Sequence, residues 1–288
     1  MNEQRQQAYF NLIQRLLNSY SHDVPEILAA NQELVDVGFL QTVEAVAEMF
    51  SQQGDENTAN WLQGLAMQLG EALNLNTEVD LQSLGEEEIQ AYFQFLIEIL
   101  QATDESRGNT QVVYSLLAKN IDKLDRVLAE ILRQWGTNTL REAEADQAEY
   151  LAAVIFLFSN LIQQFPLGNE ASNMEIAITG YKAALTVYTQ QSFPQHWATT
   201  QNILAAAYAG RILGERAENL ERTIACCQNA LKVYTFDAFP QDWATTQIYL
   251  ALAYADRIQG ERAENLERAI ACCQNTLKVY TYDTFPQG

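Results

Sequence analysis

The nonapeptide GERAENLER occupies residues 214–222 and recurs without a change at residues 260–268. The similarity extends well beyond these stretches, because residues 197–242 and 243–288 agree at 36 of 46 positions when they are aligned without a gap. Self-similarity at a fixed period of this length is typical of repeat proteins, in which each unit buries its apolar face against the next. The sequence therefore predicts a stacked repeat architecture.

A fainter third copy lies one period earlier, at about residues 151–196. The matching pairs include Gly168 with Gly214, Asn173 with Asn219, Ile178 with Ile224, Tyr188 with Tyr234, and Pro194 with Pro240. We expect residues 146–288 to hold three repeats. Residues 1–145 show no clean 46-residue register, and we interpret them as an N-terminal acidic helical domain or as degenerate copies of the repeat.

Each repeat is predicted to form two antiparallel helices. The first helix begins at Pro194 or Pro240, where the missing N–H of proline costs nothing, and in the last repeat it ends near Gly260. The second helix is predicted to be capped by Asn219 or Asn265, since an asparagine side chain accepts a free backbone N–H. In the last repeat the apolar residues of the second helix fall three or four apart on one face: Leu266, Ile270, Cys273, Leu277 and Tyr280.

The N-terminal half is also predicted to be helical. Periodic apolar residues recur at helical spacing, while alternating strand patterns are missing and only 5 prolines interrupt the chain. The predicted segments are roughly 3–19, 23–34, 37–52, 55–73, 84–102, 109–118, 120–135 and 141–164, with starts at Asp55 and Asn109 and a linker at 74–85. The fold class is therefore all-α.

The helix pair resembles the tetratricopeptide repeat. Leu204-Ala205-x2-Tyr208 matches the family pattern of the first helix, and Ala269-x3-Cys273 matches that of the second. Two six-residue extensions account for a period of 46 where the family has 34. The sequence departs from the pattern at the position of the family tryptophan, which is Gln201, and at that of the family glycine, which is Ala205.

The stretches GERAENLERAIAC and FPQDWATTQ look like the long repeats of cyanobacterial tetratricopeptide proteins, many of which end in a caspase-like CHAT domain. The resemblance implies a right-handed α-solenoid that serves as a protein–protein interaction scaffold, with no enzymatic activity of its own. An alternative that it leaves open is the sensing half of a caspase-like protease whose catalytic domain is absent from this chain.

Residues capable of catalysis or metal binding are scarce. The two histidines, His22 and His196, have no predicted nucleophile partner. The pairs Cys226-Cys227 and Cys272-Cys273 are adjacent on helices, so each pair splits between two faces, whereas structural zinc sites space their cysteines. We predict no enzyme, no cofactor and no metal.

The charge distribution limits the class of partner. The net charge is −20, and between Arg15 and Arg107 there is no lysine or arginine against 17 acidic residues. Such a surface repels nucleic acid and anionic membranes. It suits a basic protein partner, or it is a solvated surface that keeps the protein soluble.

We expect a cytoplasmic protein. The longest apolar run has nine residues, whereas a helix that spans a bilayer needs ~20. The polar start of the chain also lacks the apolar core of a signal peptide.

A groove for a protein or peptide is predicted on the concave face of the repeats. Packing demands the same residue in each copy and binding demands different ones, so positions that vary on the first helix are the candidates; neutral drift on an exposed face is the alternative. The predicted binding residues are Asn160, Gln164, Thr199, Asn202, Ala206, Gly210, Thr245, Ile248, Leu252 and Asp256.

The last helix raises a further expectation. The sequence stops at residues 285–288, where another helix would begin, which leaves the apolar face of the last helix uncovered. We expect one of three covers: further chain of a longer protein, a second copy docked end to end, or a partner. A small apolar ligand in the N-terminal half is a separate possibility that the sequence leaves open.

Overall fold

The computed structural model describes residues 3–20, 23–52, 54–75, 81 and 84–280. Every regular element in these ranges is helical, which confirms the all-α prediction. The α-helices are α1 (Glu3–Leu17), α2 (Val24–Ala29), α3 (Val37–Gln52), α4 (Glu56–Leu75), α5 (Glu86–Glu105), α6 (Thr110–Lys119), α7 (Arg126–Glu142), α8 (Ala145–Gln163), α9 (Glu170–Ala184), α10 (Pro194–Ala209), α11 (Arg216–Ala230), α12 (Pro240–Asp256) and α13 (Arg262–Leu277). None of these helices combines the length and the apolarity that crossing a bilayer requires.

The repeat helices begin where proline predicts. Both α10 and α12 have proline in their first turn, as expected for a residue that lacks the N–H a helix leaves unpaired there. Each then buries the same positions, 46 residues apart. In α10 the buried residues are Ala198, Thr200, Gln201, Leu204, Ala205, Ala207 and Tyr208, and in α12 they are Ala244, Thr246, Gln247, Leu250, Ala251, Ala253 and Tyr254.

The predicted asparagine caps are wrong. The second helices begin at Arg216 and Arg262, three residues before Asn219 and Asn265. The buried Asn219 instead donates from its Nδ2 to the carbonyl oxygen of Leu213 at 2.8 Å. The asparagine therefore closes the loop from inside the helix instead of starting the helix.

The same loop closure occurs in all three repeats. Asn173 donates to the carbonyl of Leu167 at 2.9 Å, and Asn265 donates to that of Gln259 at 2.8 Å. Five residues before each asparagine stands a glycine whose φ is +79°, +75° or +79°: Gly168, Gly214 and Gly260. Glycine adopts this left-handed conformation without the penalty that a Cβ imposes, so the loop turns back toward the asparagine.

Helix starts in the N-terminal half follow side-chain capping. Asp55 accepts the backbone N–H of Thr58 at 3.1 Å, and Asn109 accepts that of Gln111 at 2.9 Å, which confirms both predicted starts. The helix predicted over residues 120–135 is interrupted, because Asp125 accepts the N–H groups of Val127 and Leu128 and starts α7 there. Ahead of it stands a short 3-10 turn, Ile121–Lys123. The linker predicted at 74–85 falls mostly outside the described residues.

The buried side chains form two main clusters. One fills the bundle of α1 to α4, from Tyr9 to Leu69. The other is continuous from Tyr92 in α5 to Cys272 in α13, so helices before the repeats and helices within them share one core. The division at residue 145 stays a prediction.

The N-terminal bundle packs against the loops inside the repeats. Helix α4 contacts α9, and Asn169, just before α9, donates to the carbonyl of Gln68 at 3.1 Å. Ile212 and Leu213, in the loop of the next repeat, pack with Ala171 at the start of α9. The bundle thus lies on the edge of the array where the first helix of each repeat turns into the second.

Candidate binding surface on the first helices

The predicted binding residues lie mainly on α10 and α12. These helices pack directly against each other, whereas α8, which carries Asn160, packs mainly on α9 and α5. The residues on α10 and α12 fall at spacings of three and four, which places them on one stripe of each helix. The coherent part of the predicted surface, called the stripe below, is Thr199, Asn202, Ala206, Gly210, Thr245, Ile248, Leu252 and Asp256.

The stripe is apolar and exposed on α12. Ile248 is 38% exposed and Leu252 is 59% exposed, one turn apart on the same face. Their counterparts on α10, Asn202 and Ala206, are half-buried and smaller or more polar. At these two positions the side chains on α12 are therefore larger and more apolar than their counterparts on α10.

Asn202 has an unsatisfied acceptor. Its Oδ1 is buried and has no hydrogen-bond partner among the described residues. A buried acceptor without a donor costs on the order of 1–3 kcal/mol.

Two stripe residues make contacts within the repeats. The Thr199 hydroxyl lies 2.6 Å from the hydroxyl of Tyr234, so it helps to join α10 to the residues that follow α11. Asp256, at the end of α12, accepts a hydrogen bond of 3.3 Å from Nη2 of Arg216 in the preceding repeat. Both residues therefore have a packing role, and only position 256 differs from its counterpart in the preceding repeat, which is Gly210.

The residues predicted on α8 are separate from the stripe. The Oδ1 of Asn160 accepts the hydroxyl hydrogen of Tyr181 at 2.9 Å, and Gln163 accepts from the same hydroxyl at 2.6 Å. Gln164 is exposed at the end of α8. Asn160 is therefore occupied inside the first repeat, and Gln164 is the freer of the two.

Tyr208 and Tyr254 hold neighbouring repeats together. The ring of Tyr208 lies between Lys182 of the preceding repeat, at 5.7 Å, and Arg222 of its own repeat, at 5.4 Å. In the next repeat the Tyr254 hydroxyl accepts from Gln228 of the preceding repeat at 3.3 Å. The two tyrosines are buried and are not a stacking platform for a ligand.

The charges of GERAENLER divide into two kinds. Arg222 pairs with Glu218 one turn away in the same helix, at 2.5 Å. Glu221 instead reaches the next repeat, where its two oxygens accept from Nε and Nη2 of Arg257 at 2.6 and 2.8 Å. The same bidentate pair joins Glu175 to Arg211 one period earlier, at 2.5 and 2.7 Å.

Three of the four thiols lack the features of a nucleophile or a metal ligand. All four cysteines are unpaired, and three are buried. Burial raises the pKa of Cys226 to about 12 and that of Cys272 to about 11, and it also raises the pKa of Cys227. Since the thiolate is the reactive and metal-binding form, these groups are protonated near neutral pH. Across the described residues, no group of three or more His, Cys, Asp or Glu side chains is placed to hold a metal.

Of the two histidines, His196 is the one that the structure describes. His196 is exposed, stacks on the ring of Tyr188 at 5.0 Å and lies edge-on to Phe193. This geometry gives it a packing role at the start of α10. His22 falls outside the described residues.

Sequence reasoning missed a cleft between the N-terminal bundle and the repeats. It has a volume of about 320 Å³ and is lined mainly by apolar residues, among them Val24 of α2, Trp61 of α4 and Ile212 of the second repeat. Gln68 and Glu170 are polar residues in its lining. No sequence pattern could reveal this cleft, because its walls come from four segments that are far apart in the chain.

Comparison of the chain with protein-family models, with curated proteins and with solved structures found no match in any of the three.

Proposed function

We propose that this chain is a non-enzymatic scaffold that recognises a protein or peptide through the stripe on α10 and α12. The proposal includes a right-handed solenoid of tetratricopeptide type in which these first helices line the concave wall. The carrying observation is the pair of exposed apolar side chains, Ile248 and Leu252, on a helix whose other face is fully used in packing.

The distribution of differences between the two close repeats supports this function. Four of the substituted positions, 202, 203, 206 and 210, lie on α10 or at its end, and none of the four is buried in either repeat. The positions that α10 and α12 bury are identical in the two copies. Sameness where helices pack and difference where they face solvent is the pattern expected of a scaffold with a varied binding surface.

The side chains of the stripe indicate what kind of ligand would bind there. An apolar side chain of the ligand would cover Ile248 and Leu252. The net charge of −20 would favour basic residues flanking that segment, because opposite charges speed encounter and orient the partner. The proposed ligand is therefore a basic peptide with one apolar anchor.

The test is capture of proteins from source cytosol on the immobilised full chain. The double variant Ile248→Lys with Leu252→Lys removes the apolar part of the stripe without touching a buried residue. The matched control is Ala225→Lys with Ala271→Lys, which adds the same charge at two exposed positions of the second helices. A partner that is retained by the control and lost by the stripe variant supports the proposal, while equal recovery of every protein by both variants would overturn it.

The proposed location is the cytoplasm. Cys273 is exposed and unpaired, and the other three thiols are also free. Free thiols, one of them exposed, are typical of a reducing compartment.

A further inference from the structure

Helix α13 presents an apolar face that its copy α11 buries. Leu220 and Ile224 of α11 are 1% and 5% exposed, whereas Leu266 and Ile270 of α13 are 40% and 56% exposed. Cys273 is likewise exposed although its counterpart Cys227 is fully buried. The two helices differ in sequence at only two of these sixteen positions, so the difference lies in what covers them.

At two places in the molecule, the equivalent face of a second helix is covered by the first helix of the next repeat. Helix α12 packs on α11, with Arg257 on Glu221 and the Tyr254 hydroxyl accepting from Gln228. One period earlier α10 packs on α9, with Arg211 on Glu175 and the ring of Tyr208 beside Lys182. The cover in both cases is a helix with an alanine-rich and tyrosine-bearing face that is followed by an arginine.

Helix α13 keeps the polar groups that receive such a helix. Glu267 is the counterpart of Glu221 and Glu175, and Gln274 is the counterpart of Gln228. Both are exposed, and Glu267 forms no salt bridge with a described residue. The face therefore offers an apolar strip beside an uncompensated carboxylate, which complements an apolar helix that carries a cation at its end.

The covering helices α10 and α12 of a second copy are not available for this face. They already bury their alanine and tyrosine faces within their own chain. Releasing either helix would expose part of the main core.

We propose that the face of α13 formed by Leu266, Glu267, Ile270, Cys273 and Gln274 binds a partner helix of the α12 type. That helix carries alanines and a tyrosine at helical spacing, and an arginine after its end that pairs with Glu267. This site is distinct from the stripe on α10 and α12, and it does not depend on the proposed function.

The probe is a labelled synthetic peptide with the sequence of residues 238–259, made helical by a lactam link between positions 248 and 252. Those positions are exposed in the chain, so the link leaves the interface free. Circular dichroism first verifies that the peptide is helical. Fluorescence anisotropy then measures its binding to the full chain.

The expected result is saturable binding that Ile270→Lys weakens at least about tenfold, since a buried lysine leaves an unpaired charge at the centre of the contact. Glu267→Arg is expected to weaken binding roughly fivefold, and Arg257→Glu in the peptide is expected to restore it. The matched control, Ala271→Lys, adds a charge to α13 next to the proposed face and is expected to leave binding unchanged.

Three results of the binding experiment would overturn the proposal. They are no binding of the helical peptide at millimolar concentration, equal binding by Ile270→Lys and the unchanged chain, and failure of the charge reversal to restore affinity. Sedimentation of the chain alone that shows a dimer abolished by Ile270→Lys would also overturn it, because the occupant would then be a second copy.

Discussion

Helices α11 and α13 are almost the same peptide in two environments. Both contain RAENLER followed by an isoleucine and two cysteines, and both pack on the first helix of their own repeat. Only α11 is covered on its second side, by α12. Whether a side chain contributes to stability is therefore decided here by the neighbouring helix, because identical residues are buried in one copy and exposed in the other.

The largest expected effect comes from truncating the same leucine in each copy. Leu220→Ala removes a fully buried side chain and is expected to lower the free energy of unfolding by about 2–5 kcal/mol. Leu266→Ala removes a side chain that is 40% exposed and is expected to cost under about 1 kcal/mol. Urea denaturation of the two full-length variants measures both values, and equal losses would contradict the described difference in cover.

The reactivity of the cysteines compares α11 with α13 without any substitution. Cys273 is exposed, and we expect iodoacetamide at pH 8 to alkylate it first, at least about 100-fold faster than Cys227, which reacts only when the structure opens. Burial raises the pKa of Cys227, so its thiolate is scarce as well as hidden. Peptide mapping by mass spectrometry gives the order of labelling. Unfolded protein, in which the cysteines should react alike, is the control.

Replacing the loop glycines, Gly214 and Gly260, compares the two repeats by the backbone strain that each substitution introduces. Alanine at Gly214 or at Gly260 must adopt a φ near +75° or +79°, which costs about 1–2 kcal/mol. At Gly214 the new Cβ would also lie 2.8 Å from Nη1 of Arg211, whereas at Gly260 the nearest side-chain atom, Nη1 of Arg257, would be 3.7 Å away. Gly214→Ala is therefore expected to lower the melting temperature more than Gly260→Ala.

The control for the loop glycines is Gly64→Ala. Gly64 lies inside α4 with open space around its Cα, so alanine is expected to raise the free energy of unfolding by about 0.5–1 kcal/mol. A loss of stability in Gly64→Ala as large as that in Gly214→Ala would contradict the expected backbone strain at the loop.

The smallest expected effect concerns the ion pairs between repeats. Arg257→Ala removes the bidentate contact with Glu221, both partly exposed, and is expected to cost about 1 kcal/mol or less. Glu267→Gln, at the equivalent position of α13, is expected to change nothing measurable, since this carboxylate has no ion-pair partner among the described residues. A double-mutant cycle with Arg257→Ala and Glu221→Ala isolates the pair, and a coupling near zero would remove its proposed part in fixing the repeats.

Local chemistry made much of the fold predictable. Proline fixes its own backbone angle and lacks an N–H, so Pro194 and Pro240 suit the first turn of a helix. Asp55 and Asn109 cap helices through contacts within three residues. Each of these signals acts over a few residues, which is the range that a single sequence displays.

The failures came from contacts that the local pattern does not contain. Asparagine commonly caps helices, but Asn219 lies within α11. The loop before the helix folds back, and the side chain of Asn219 donates to the carbonyl oxygen of Leu213 in that loop. The stripe could be placed on α10 and α12 from helical spacing, while the cleft beside Trp61 and the position of α4 on α9 depend on the folding of distant segments. The exposed face of α13 was expected from the repeat pattern, since its copy shows what the face normally touches.

The bundle of α1 to α4 has a mechanical consequence for the array. Stacked helical repeats bend by small changes in the spacing between successive units. Here the bundle contacts Asn169 in the first repeat and packs beside Ile212 in the second, and Glu26 of α2 shares a surface depression with Asp256 of the third. The bundle therefore contacts the first repeat and lines depressions shared with the second and the third, and we expect it to limit both stretching and closing of that edge of the array.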